Sequence, residues 1–78
     1  MKKADNARSV FYLHYDDGTD FVSRPCRHLD EAIVQSGYRE RPITADFLWG
    51  DIMTPCTQDG IDRAMASMRL LRRTAIAA

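Results

Sequence analysis

The chain has 78 residues, its 11 Lys plus Arg balance 11 Asp plus Glu, and 45% of it is hydrophobic with 28% charged. That composition fits an ordinary folded domain and excludes disordered, collagen-like and disulfide-dense chains. A domain of this size buries only about 60–65% of its unfolded surface, so function is expected on a surface, in a shallow groove or at an interface.

Residues 1–8 are polar and without period, which predicts a short flexible arm ahead of a single domain over 9–78. Lys2 and Lys3 run into Ala4 and Asp5 with no apolar stretch behind them, so no secretory signal is expected. The apolar run from Val10 to Leu13 is too short to cross a membrane, and cytoplasm is the expected compartment. With that compartment, Cys26 and Cys56 are expected to be free, buried thiols.

Val10 to Tyr15 and Phe21 to Val22 are rich in β-branched and aromatic residues, and Asp17 and Gly18 lie between them. This predicts a hairpin closed by a two-residue type I′ turn. Tyr15 would then pair with Asp20, His14 with Phe21, Leu13 with Val22 and Tyr12 with Ser23. One face would carry Phe11, Leu13, Tyr15 and Val22, and the other Val10, Tyr12, His14 and Phe21.

Leu29 to Gln35 reads as a helix starting near Cys26 or His28 and stopped by Gly37, with Leu29, Ala32, Ile33 and Ser36 as its core stripe. Ile43, Ala45, Phe47 and Trp49 alternate with Thr44, Asp46, Leu48 and Gly50, which favours a third short strand or extended segment. A helix capped by Thr44 is the competing reading of residues 43–53. Thr57 caps a long C-terminal helix over about residues 58–74, with the stripe Ile61, Ala64, Met65, Met68 and Leu71. Leu70 falls on the far side, and Arg69, Arg72 and Arg73 fall in the last turn, where cations complement the helix dipole. The fold class expected is α+β in two layers: a hairpin, a helix, a third extended element and a long terminal helix.

No constellation argues for catalysis. Cys26, His28 and Asp30 can be written as a triad, but neighbours at a strand-to-helix junction do not converge on one point. His14, Cys26, His28 and Cys56 lack zinc-site spacing, and Asp16, Asp17 and Asp20 lack the pattern of a calcium loop. Glycines 18, 37, 50 and 60 are scattered, so no phosphate-binding loop exists. No enzyme activity, metal or cofactor is expected.

Asp16, Asp17 and Asp20 crowd one turn, whereas Arg63, Arg69, Arg72 and Arg73 gather near the C-terminus, a separation that steers charged partners. Aromatic residues and arginine are what interface cores concentrate. The expected function is therefore a non-catalytic protein-binding module, an inhibitor or adaptor on a larger assembly. Tyr12, His14 and Phe21 are its apolar contact residues and Arg69, Arg72 and Arg73 its charged ones. In size and character the chain is similar to small phage-encoded antagonists of bacterial defence such as anti-CRISPR proteins, although no motif carries that resemblance. Edge-to-edge pairing of the hairpin would give a homodimer. The alternative is a helix-turn-helix-like DNA-binding regulator that uses the Arg-rich helix, against which stand the neutral charge and Asp59 and Asp62 at the reading end.

Overall fold

The computed structural model describes residues 9–77, with side chains described as far as residue 71. Its first turn sets the rest of the sheet. Strands β1 (Ser9–His14) and β2 (Asp20–Val22) are joined by a loop in which the Gly18 N–H donates to the Tyr15 carbonyl at 3.0 Å and the Tyr15 N–H to the Thr19 carbonyl at 2.9 Å. Gly18 alone takes a positive φ, 89°, as in a type I turn followed by a glycine bulge. The Asp17 carboxylate accepts the Thr19 N–H at 2.9 Å and fixes the bend. The loop therefore holds three residues, Asp16, Asp17 and Gly18, rather than the expected two. The strands consequently pair Tyr12 with Val22, Leu13 with Phe21 and His14 with Asp20. A slip of one residue moves every β2 side chain to the other face. Phe21 thus sits beside Leu13 and Val22 beside Tyr12, the reverse of the arrangement expected from a two-residue turn.

Helix α1 (Leu29–Ser36) follows. His28 occupies its N-cap position without a capping side-chain hydrogen bond, Asp30 and Glu31 complement the positive end, and Gly37 ends it at φ 77°. Tyr38 stacks on Tyr15 with ring centroids 4.1 Å apart, which anchors the return of the chain. Strand β3 (Thr44–Trp49) then pairs antiparallel with β1, and β4 (Ile52–Pro55) with β3, giving a four-stranded antiparallel sheet in the order β2-β1-β3-β4. Residues 44–49 are a strand, so the helical reading of that segment falls, and with it the first helix of a helix-turn-helix. Strand β4 is an addition to the expected architecture. Gly50 and Asp51 turn the chain with Gly50 at φ 64°, as a two-residue turn with glycine in first place requires. Pro55 is tolerated because β4 is an edge strand whose outward positions need no donor.

Helix α2 (Gln58–Ala77) starts at Thr57, whose Oγ1 accepts the Gly60 N–H at 2.9 Å. Arg41 clamps this start by donating to the Asp62 carboxylate and to the Gln58 side-chain carbonyl, each at 2.6 Å. No glycine or proline follows Arg73, and the helix continues to Ala77. Its last turn carries no basic residue, so Arg69, Arg72 and Arg73 lie before the end of the helix rather than in its last turn.

Phe11, Leu13 and Ala45 of the sheet pack with Ala32 and Ile33 of α1 and with Ile61, Ala64, Met65 and Met68 of α2 in one core. Ser67 donates to the Asp30 carboxylate at 2.5 Å and joins the two helices at the first turn of α1. Beyond that point α2 has outrun α1, which is why Leu71, expected in the core stripe, is 42% exposed. The architecture is two-layered α+β, with both helices on one face of the sheet.

Candidate functional site: the open face of the sheet

Side chains opposite one another in an antiparallel ladder share a face, and alternate residues change face. The register therefore sorts the strands. Toward the helices point Phe11, Leu13, Phe21, Ala45 and Phe47. Away from them point Val10, Tyr12 and His14 of β1, Asp20 and Val22 of β2, Thr44, Asp46 and Leu48 of β3, and Met53 of β4. None of the latter group is buried, and among the described residues no element lies over them. Val22 and Met53 are each 50% exposed.

Of the contact residues read from the sequence, Tyr12 and His14 lie together on this open face. Phe21 does not. It packs half-buried against the core on the helix side, because the three-residue loop shifts β2 by one position. Arg69 is exposed on α2, in the layer that covers the opposite face, so it does not share a surface with Tyr12 and His14. The side chains of Arg72 and Arg73, like the whole of the expected N-terminal arm over 1–8, lie outside the described residues. Asp46, Leu48 and Met53 complete the face and were missed. The alternation of β3 marked the first two, but nothing in the sequence said which of its faces the helices would leave open.

At the end of the open face nearest the hairpin loop, His14, the last residue of β1, reaches both neighbouring strands. Its Nδ1 lies 3.0 Å from Asp20 Oδ1 and its Nε2 lies 3.1 Å from Asp46 Oδ2. Asp20 is the directly opposed residue of β2, and Asp46 is diagonal to His14 on β3. The hydrogen bond to Asp20, then that to Asp46, raise the pKa of His14 above its ordinary 6.5, and modest burial opposes them. His14, Asp20 and Asp46 are the charged groups that the strands place on this face. With the imidazolium formed, they still leave a surplus of negative charge beside the acidic tip of Asp16 and Asp17.

The triad written from sequence is not assembled. The Cys26 Sγ donates weakly to Ser23 Oγ and to the backbone carbonyl of His28, both at 3.8 Å, and Asp30 is committed to Ser67 and to the Glu31 N–H. Burial pushes the thiols of Cys26 and Cys56 above their ordinary range, and both are free and half-buried. Among the described residues no group of three His, Cys, Asp or Glu side chains is arranged to hold a metal ion. A shallow, open cleft lies at the far end of the sheet on the helix side, lined by Ser9, Arg27, Phe47 and Trp49. Among the described residues no helix is long and apolar enough to cross a membrane.

No family model, curated protein or solved structure matches the chain.

Proposed function

We propose that the chain is a small non-catalytic protein-binding module, an inhibitor or adaptor, which docks through the open face of its sheet onto a partner protein presenting apolar and basic groups. The observation that carries this reading is the uncovered face itself. An antiparallel sheet tolerates one solvated face when that face is polar, whereas this one carries Val10, Tyr12, Val22, Leu48 and Met53, with the cluster of His14, Asp20 and Asp46 bordering them at the hairpin end. Contiguous apolar surface rimmed by polar groups is the usual mark of a contact site. The surplus of carboxylates selects a partner with Lys or Arg opposite Asp20 and Asp46.

Photo-crosslinking in the native host tests the reading. A photoreactive amino acid replaces Tyr12 in one variant and Arg69 in another. The expected result is one dominant protein adduct from position 12, absent from position 69 and lost when Leu48→Asp is added to a chain that remains folded. Adducts only from position 69 would transfer the contact to α2 and overturn the proposal. Tight binding of duplex DNA that weakens steeply with salt would overturn it in favour of nucleic acid.

A further inference from the structure

We propose that His14 is a proton-operated clamp across the strands β2, β1 and β3, closed on both Asp20 and Asp46 when the imidazole carries two ring protons and open on one side when it carries one. An ionised carboxylate only accepts hydrogen bonds, and a neutral imidazole has a single N–H to donate. His14 has a carboxylate oxygen at hydrogen-bonding distance from each ring nitrogen, 3.0 Å from Nδ1 and 3.1 Å from Nε2. Both bonds exist together only in the imidazolium form. Loss of one proton turns one N–H···O contact into a nitrogen lone pair facing a carboxylate, which is repulsive.

The position of the clamp gives it consequence. Strand β2 is three residues long and lies at the edge of the sheet. On the open face it presents Asp20, held by His14, and half-exposed Val22. The groups that face the imidazole are Asp20 from β2 and Asp46 from β3, with Tyr12 and Thr44 as its uncharged neighbours on the same face. Both carboxylates favour the charged ring, so the folded state binds the proton more tightly than the unfolded chain does. The stabilisation is then complete below the unfolded value of 6.5 and is lost as pH rises through the higher folded value. The clamp belongs to the fold and does not depend on what docks over it.

The test uses the full chain, labelled with nitrogen-15, and follows the histidine ring nitrogens by NMR from pH 5 to 9. Both His14 nitrogens are expected to carry protons at the acid end, with a midpoint above 6.5. The midpoint is expected to fall in Asp20→Asn and again in Asp46→Asn. Exchange of the Phe21 amide, corrected for its intrinsic pH dependence, is expected to speed up above the midpoint in the natural chain but not in His14→Gln. A midpoint at or below 6.5 in the natural chain overturns the clamp without recourse to any variant. So does a midpoint that neither Asp→Asn change moves.

Discussion

Tyr12 and Phe21 belong to one β-hairpin and face opposite sides of the sheet, Tyr12 outward and Phe21 into the helix layer. Replacing Phe21 is therefore expected to cost stability that replacement of an exposed residue such as Arg69 does not. Phe21→Ala removes a ring packed on the core and is expected to lower unfolding free energy by about 2 kcal/mol, less than a fully buried Phe because the ring is half-exposed. Arg69→Glu, on an exposed helix position, is expected to stay within about 0.5 kcal/mol and to leave capture of the partner unchanged. Urea titration measures the first two quantities and crosslinking yield the third. A large loss of capture in Arg69→Glu would place the contact on α2.

Gly18 carries the hairpin loop at φ 89°, with nothing within 4 Å of where a Cβ would stand. Gly18→Ala therefore pays for backbone strain alone, about 1 kcal/mol, and Gly18→Asn less. Equilibrium unfolding of the two variants reads the difference. Equal stability of all three chains would mean that the loop had relaxed to another turn type.

Thr57 and Gly60 oppose each other at the start of α2. Thr57→Ala removes the acceptor of the Gly60 N–H and is expected to cost about 1 kcal/mol. Gly60→Ala should add about 1 kcal/mol through helix propensity, but its new Cβ would meet Thr57 Oγ1 at 3.0 Å, so the gain is expected to be smaller. In the double variant the crowding is gone, and the full propensity gain should return. Strict additivity of the two single changes in thermal or urea denaturation would refute this coupling.

Cys26 and Cys56 are half-buried thiols whose acidity burial weakens. Alkylation by iodoacetamide at pH 7 is expected to run more slowly than for a free thiol in an unfolded peptide and to accelerate in denaturant. Mass spectrometry of the time course checks it. Rapid modification of either residue in the folded chain would assign it a thiolate that the surroundings described above do not supply.

The local elements were legible because their signals are local. Thr57 announces its helix through an oxygen that reaches the third amide of the first turn, Gly37 ends α1 because it accepts a positive φ, and the alternation of Ala45 and Phe47 with Asp46 and Leu48 marks a strand. Strand β4 was hidden by Pro55, which a central strand would reject and an edge strand does not.

The candidate site was legible only in part. Tyr12 and His14 stood out as aromatic strand residues, but their companions Asp46, Leu48 and Met53 are remote in sequence and reach the same face through the pairing of β1 with β3 and of β3 with β4.

By itself, then, the sequence determined the α+β class, the position of the first hairpin, the extent of α1 and the start of α2, since propensities, caps and glycine conformations act over a few residues. The tertiary structure alone decided the register of β2, the side on which both helices pack, and the meeting of His14 with Asp20 and Asp46. The reason is physical. One residue more in a loop reverses a strand's faces, and two carboxylates far apart in the chain reach one imidazole only after the sheet has closed between them.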